Sequence, residues 1–551
     1  MIERWSAGWR PYALLGLLCL ALYLPGIAAL PPLDRDESRF AQATRQMLES
    51  GDFLRIRFQD EARNKKPAGI YWLQAASVAA LSDAGSTAIW PYRLPSLVGA
   101  TLAALLTFAL GRQLVGAKPA LIGAALLAST LGVVAEAHLA KTDAVLLATV
   151  VAAQGALGVI YCNARRGEAP ASWRWALLFW AAQGAGILVK GPLTPLVSLL
   201  TAGVLSLADR EARWLKGLRP LWGVPVMMAI AAPWFIAITA VTDGAFLGEA
   251  AGHDLLGKLV GAQEAHGAPP GYYLLLLAAT FWPGSLLLGP SFAWAWRERA
   301  AAAERFLVAW ALPFWVVLEI IPTKLPHYIL PAYPALALLA GRAAVALAEG
   351  AMVRRRWLDI IVLVLWGAVS LALAAALALL PGRLGHGYEV TGIIAAAMLL
   401  NVGGGLAVLA WRGAGPGLAS VAVLLALVVF PAAFHFVAPR LDQLWLSRAA
   451  AAAVARYHPP RGAAVVAVGY SEPSLVFLLG SGTRFLAADQ AAQYLTATRG
   501  AAALVSDRDD EAFRRALQSR GWEPRAIDRV AGLDYSNGKH MVLTLYTGAP
   551  A

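Results

Sequence analysis

The chain has 551 residues, 59% of them hydrophobic and only 15% charged, with a formal net charge of +12. Soluble globular domains run nearer about 45–50% apolar and ~25% charged, so this composition excludes one and points to a polytopic helical membrane protein. The basic residues fall mostly in short loops between apolar runs, which membrane topology explains and nucleic-acid binding does not.

In chain order, apolar runs able to cross a ~30 Å hydrocarbon core are expected at 11–33, 93–115, 119–137, 144–162, 174–189, 192–208, 221–241, 273–293, 306–321, 328–347, 357–380, 389–410 and 416–437. That makes about thirteen spans. No small-residue cleavage pattern follows the first run, so it reads as a retained span. The loops after alternate runs are basic: Arg112 with Lys118, Arg165 with Arg166, the stretches 210–219, 297–305 and 354–356, and Arg412. With Arg4 and Arg10, they put the N-terminus and those loops in the cytoplasm. The apolar stretch 67–82 is short, and counting it as a span would reverse the side of every later basic loop; it is expected as an interfacial or re-entrant helix on the outer surface. Cys19 and Cys162 lie in or at the end of apolar runs and form no disulfide framework.

From Arg440 onward the composition changes. A strand-like run at 464–468, a helix-like segment at 474–479 and a last strand at 542–546 predict a small α/β domain. The expected organisation is a membrane domain over 1–437 and an outward-facing α/β domain over 438–551.

The outward loops hold the unusual chemistry. Directly after the first run comes Asp34-Arg35-Asp36-Glu37-Ser38-Arg39-Phe40, opening a helical pattern with Phe40, Ala43, Met47 and Leu48 on one face, as in a helix lying along the membrane. Asp36 falls at its N-terminal end, where the helix dipole favours an ionised carboxylate; it reads either as a reactive acid or as a helix-capping one. Glu37 stands beside it. Arg57 follows, then Lys65 and Lys66 before Pro67, cations suited to a lipid phosphate or to snorkelling at the interface. The short loop at 136–143 carries Glu136, His138, Lys141 and Asp143 between two apolar runs, either as a site or as span-end punctuation. Loop 242–272 contributes His253, Asp254, Lys258, Glu264 and His266 without a regular metal-ligand spacing, so no metal is expected there. Last, Lys324, His327 and Tyr328 are packed between prolines at a span junction. No Gly-rich phosphate loop stands in a nucleotide-binding context, so a sugar donor would arrive already attached to a lipid.

The run 34–40, then Met47-Leu48-Glu49-Ser50-Gly51-Asp52-Phe53, Lys66-Pro67 and Tyr71-Trp72, resembles the opening of the GT-C glycosyltransferases. The likeness is strongest to the bacterial transferases that add aminoarabinose to lipid A, and weaker to protein O-mannosyltransferases. The segments 266–273 and 324–331 and the order of elements carry the same resemblance along nearly the whole chain. It implies a GT-C fold of about 13 transmembrane helices with a periplasmic C-terminal α/β domain, in the bacterial inner membrane. It also implies transfer of a sugar from a polyprenyl-phosphate donor to a periplasm-facing acceptor: lipid A, lipopolysaccharide or another envelope lipid or glycan. By this match Asp36 is the principal catalytic carboxylate, with Asp143 a second and Glu37 an adjacent candidate. Lys66, Lys324 and Tyr328, with Arg57 and Lys258, are candidates for the donor phosphate; Lys65, His138, His266 and His327 are candidates for acceptor or sugar. Where those transferases usually carry Glu-Lys-Pro, this chain has Lys65-Lys66-Pro67. The change argues against a metal shared with His266 and is compatible with a neutral or acidic sugar. The implied mechanism is an inverting, metal-independent displacement, with a carboxylate base on the acceptor hydroxyl and lysines on the departing phosphate. The alternative is a lipid-linked sugar transporter or flippase, for which charges would line a path near mid-span rather than cluster at one face.

Overall fold

The computed structural model describes residues 8–249, 267–352, 355–413, 415–457 and 465–550. Every expected span falls on helix. Among the described residues, seven helices are long and apolar enough to cross a membrane, or nine if each of two bent pairs is one span. The first expected span is cut short. Helix α1 (Arg10–Tyr23) has 14 residues and ends before Pro25 and Gly26. Gly26 sits at φ +97, and a Cβ there would lie 2.6 Å from the Phe434 carbonyl oxygen, so only glycine lets the chain turn this close to its neighbour.

Helix α2 (Asp36–Ser50) follows. It does not lie on lipid: its residues are mostly buried, with Thr44 donating to Gln74 (2.7 Å) on one side and Gln42 donating to Ser481 (2.7 Å) of the C-terminal domain on the other. The hairpin β1 (Arg57–Phe58) and β2 (Glu61–Ala62) leads into α3 (Gly69–Leu81). At 13 residues, about 20 Å, α3 is too short to span, as the parity of the basic loops requires.

The bundle comprises α4 (Trp90–Val115), the pair α5 (Ala117–Ala128) and α6 (Leu131–Ala137) bent by 59°, α7 (Asp143–Arg165), α8 (Trp173–Lys190), α9 (Leu193–Asp209) and α10 (Pro220–Val241). It continues with α11 (Tyr272–Thr280), a turn, α12 (Leu288–Arg297), α13 (Ala302–Ile320), α14 (Tyr333–Ala348), α15 (Arg356–Leu384), α16 (Val390–Arg412) and α17 (Gly415–Pro431). The hydrophobic window of α7 is 89% buried and that of the span ending in α14 94%, against 17% for α10 and 22% for α15. Helices α7 and α14 are therefore central, and α10 and α15 present their apolar surface to lipid. Small residues permit the tight central packing: a Cβ on Gly99 of α4 would lie 2.8 Å from the Val145 Cα of α7.

The C-terminal domain has a sheet of order β4-β3-β5-β7-β6, with β3 (Val465–Val468) parallel to β4 (Arg484–Phe485) and to β5 (Ala502–Ser506). The long hairpin of β6 (Trp522–Asp534) and β7 (Lys539–Pro550) adds antiparallel to β5. Alternate residues of β3 and β5 face opposite layers. Val465, Ala467 and Leu504 pack on α18 (Leu446–Tyr457), while Val466, Val468 and Val505 pack on α20 (Ala488–Ala497) and α21 (Asp510–Gln518). Helix α19 (Pro473–Leu479) is pressed against α2, where Arg45 donates to the Phe477 carbonyl (3.1 Å), and against α4, where Phe477 is edge-on to Tyr92 at 5.4 Å.

Candidate active site

Four chain segments meet at one end of the bundle. The N-terminus of α2 brings Asp36, the α6–α7 turn brings Glu136, Lys141 and Asp143, and the C-terminus of α8 brings Lys190. His327 enters from the 3-10 turn before α14. Asp143 is buried between Lys190 Nζ (2.5 Å) and Lys141 Nζ (4.0 Å), with His327 Nε2 at 3.9 Å. Glu136 accepts from Lys141 Nζ (3.0 Å) and faces His327 Nδ1 at 3.8 Å. Lys190 also lies over the Tyr328 ring, 5.4 Å from its centroid. Helix α3 approaches α8 closely: a Cβ on Gly69, three residues after Lys66, would lie 2.6 Å from the Leu188 carbonyl oxygen.

Asp36 differs from its neighbours. It is accessible to water on one side, and among the described residues it makes no hydrogen bond or ion pair. Burial on its other sides would raise its pKa, but Lys141, Arg63, His327 and Arg39 together outweigh that and hold the carboxyl below its ordinary value. Burial likewise opposes the charge on Lys141, and Glu136, Asp143 and Asp36 overcome it, keeping the ammonium protonated well above its usual range. The recess thus holds one open, ionised carboxylate beside a network of cations. Below it an apolar groove of about 670 Å³ runs between α3, α4, α7 and α8, lined by Ser77, Pro95, Val98, Val145, Thr149 and Leu178 among others.

Residues 65–236 match the family described as dolichyl-phosphate-mannose-protein mannosyltransferase. The chain is 30% identical over 334 residues to the undecaprenyl phosphate-alpha-4-amino-4-deoxy-L-arabinose arabinosyl transferase of Pseudomonas aeruginosa, 59% of each protein. The corresponding protein of Edwardsiella ictaluri is 28% identical over 60% of this chain and 58% of its own length. The chain thus spans about three fifths of the length of the curated relatives it matches (59% for the first). In structure it is similar to ArnT from Cupriavidus metallidurans bound to undecaprenyl phosphate, with a TM-score of 0.73 over 98% of both chains at 21% identity. The chain adopts the GT-C fold. The Archaeoglobus fulgidus oligosaccharyltransferase shares it more loosely, at a TM-score of 0.54 over 88% of this chain and 64% of that one.

Within this GT-C frame the sequence-predicted residues divide. Asp36, Asp143 and His327 converge on the recess, with Tyr328 beside Lys190. Lys66 is half-buried and Lys65 exposed at the start of α3, and Arg57 is exposed on β1. Lys258 and His266 lie outside the described residues, as do His253, Asp254 and Glu264. Three expectations are corrected. Glu37 does not face the recess: it is buried, forms a two-pronged ion pair with Arg93 (both contacts 2.8 Å), and also accepts from the amides of Leu33 (2.8 Å) and Ala140 (2.9 Å). His138 is enclosed, its ring nitrogens 2.8 Å from the Val134 and Pro25 carbonyls and its ring stacked on Phe434. Lys324 points back into its own turn, donating to the carbonyls of Leu318 (3.2 Å), Glu319 (2.9 Å) and Ile321 (2.6 Å), so its ammonium protons cap the end of α13. Sequence reasoning missed Lys190 and Arg63 as site residues, and Arg93 as the partner of Glu37. Lys190 precedes Gly191-Pro192 and reads as a turn, while Arg93 reads as the charged start of a span.

Proposed function

We propose that this chain is a membrane glycosyltransferase that moves a sugar from a polyprenyl-phosphate donor to a hydroxyl of an envelope acceptor, lipid A or another lipid or glycan. The observation that carries this reading is Asp36: open, without a hydrogen bond or ion pair among the described residues, and held ionised beside Lys141 and Arg63. Asp36 takes the acceptor proton while the acceptor oxygen attacks the anomeric carbon; that bond forms as the carbon–oxygen bond to phosphate breaks, and its electron pair leaves with the polyprenyl phosphate. Such a base contributes typically about 10²–10⁴-fold. The leaving phosphate is already anionic, so fixed cations stabilise it without protonation. In this reading Lys190, Lys66 and Arg63 supply that charge, with Tyr328 alongside. Asp143 orients Lys190 and Lys141 rather than meeting the acceptor itself. The groove between α3, α4, α7 and α8 suits the prenyl chain, being almost wholly apolar and opening beneath these cations.

In this reading the recess and the C-terminal domain face the periplasm, the basic loops face the cytoplasm, and the membrane is the bacterial inner membrane. The test is reconstitution of the full chain in liposomes with undecaprenyl-phosphate-linked sugars and lipid A, followed by mass spectrometry of the lipids. A sugar-sized mass gain with wild type and none with Asp36→Asn supports the proposal. Equal gain with both removes Asp36 from the chemistry, and sugar crossing the bilayer without transfer would make the chain a flippase.

A further inference from the structure

A second polar cavity lies at the opposite end of the bundle. Helix α7 has Asp143 at one end and Arg165 at the other; its 23 residues rise about 35 Å, roughly one membrane thickness. The cavity measures about 430 Å³ and is lined by Arg165, Arg166, Arg342, Glu304 and the start of α13. Its only lining carboxylate among the described residues is already matched, since Glu304 accepts from Arg342 Nε (2.7 Å) and Trp294 Nε1 (3.1 Å). The nearest carboxylates to Arg165 and Arg166 are Asp209 and Glu168, at 3.8 and 3.9 Å, beyond hydrogen bonding. Asp209 is engaged elsewhere, accepting from Tyr161 (2.8 Å) and pairing with Arg305 (2.7 Å). The first turn of α13 opens on the same space, and its N-cap, Ala301, offers no side chain to receive the free amides. Two guanidinium groups from the end of α7, a third from within α14 that is paired with Glu304, and a helix N-terminus leave the cavity short of negative charge.

We propose that this cavity binds the phosphate of an anionic lipid headgroup in the leaflet opposite the recess. Guanidinium forks match phosphate oxygens in pairs, and uncapped helix amides add to them. Trp296 is exposed nearby with Arg299 stacked on it at 4.6 Å, an arrangement suited to the membrane–water interface, and Arg342 itself rests over Trp294 at 5.2 Å. The same chemistry would accept a free phosphate ion, and the experiment separates the two.

The full chain is purified in neutral detergent and examined by native mass spectrometry with phosphatidylglycerol, phosphatidylcholine or inorganic phosphate added. Wild type should retain phosphatidylglycerol over phosphatidylcholine, and Arg166→Gln/Arg342→Gln should lower that retention about tenfold, the effect of losing one or two charge-assisted bonds. Ala300→Trp fills the exposed rim without disturbing any ion pair and should have the same effect if the double variant folds poorly. Arg112→Gln, a basic residue at the same membrane face but not lining the cavity, should retain lipid as wild type does. Equal retention by wild type and Ala300→Trp overturns the proposal. Protection by millimolar inorganic phosphate with no preference for phosphatidylglycerol also overturns it, reassigning the cavity to a soluble anion.

Discussion

Glu37 and Asp36 are adjacent carboxylates with opposite tasks, and Glu37→Gln separates them. Glu37 accepts four hydrogen bonds, Oε1 from Arg93 Nε and the Ala140 amide, Oε2 from Arg93 Nη2 and the Leu33 amide. An amide nitrogen placed at either position faces two donors, so the variant loses two bonds whichever way it is flipped, and Arg93 loses its counter-charge. Arg93 has no exposed surface and, among the described residues, otherwise donates only to the carbonyls of Ile27, Leu30 and Pro31. Removing one partner of a buried pair costs about 3–5 kcal/mol, and that is the expected loss of stability. Thermal unfolding in detergent, together with turnover measured well below the transition, reads both quantities. A clear drop in unfolding temperature with turnover preserved in the folded fraction is expected. A wild-type unfolding temperature with turnover collapsed would refute this reasoning and return Glu37 to the chemistry.

Asp36→Asn should do the reverse: about 10²–10⁴-fold lower kcat and little change in donor KM, with a far smaller change in unfolding temperature than Glu37→Gln, because among the described residues Asp36 makes no hydrogen bond or ion pair. Lys190→Met leaves the buried Asp143 without its 2.5 Å partner and should both destabilise the chain and raise donor KM; adding Asp143→Leu should restore stability but not transfer. Docking of the C-terminal domain should weaken as pH rises. Burial at the interface pushes the Asp34 carboxyl up to about 7 from 3.8, with Glu472 and Asp534 adding to the rise and Ser474 and Tyr535 opposing it. The docked state keeps a proton that the undocked loop releases near pH 4, so docking is strongest below that and is lost progressively as pH climbs through 7. Normalised to the base-catalysed intrinsic rate, hydrogen exchange at 473–479 should lose protection between about pH 4 and pH 7 in wild type, the interval between the undocked and docked carboxyl, and keep it in Asp34→Asn; equal behaviour would remove Asp34 from the docking interface.

Most helices were legible because they are long apolar runs, and the reading of 67–82 as too short to span followed from its length and from charge parity. The four helices that fall short of a full span were not. Helix α1 stops at Pro25-Gly26 inside a run that reads as continuous, and α9 is short. Helices α8 and α13 carry Arg174 with Lys190, and Glu304, Arg305 with Glu319, inside their lengths. In the C-terminal domain β3 was legible as a fully buried apolar strand. The hairpin strand β6 was not: its residues are largely exposed and include Glu523, Arg525, Asp528 and Arg529, the composition of a protected sheet edge, which reads as loop.

The site shows a sharper limit. A charge next to an apolar run can be a reactant, a counter-ion or a cap, and composition does not distinguish them. Neighbouring residues at a helix start point about 100° apart, so Asp36 reaches the recess while Glu37 turns to Arg93. Lys190 and Lys324 exchange apparent roles for a similar reason. The sequence at 324–331 looks like an anion clamp, yet the turn before Pro326 folds the Lys324 ammonium onto the carbonyls closing α13. Lys190 looks like the end of a helix, and it is the cation that meets Asp143. In each case the deciding quantity is which unsatisfied partner lies within reach. For Lys324 that partner is the backbone a few residues back. For Lys190 it is a carboxylate on another helix, which only the packing of α3, α4, α7 and α8 brings to it.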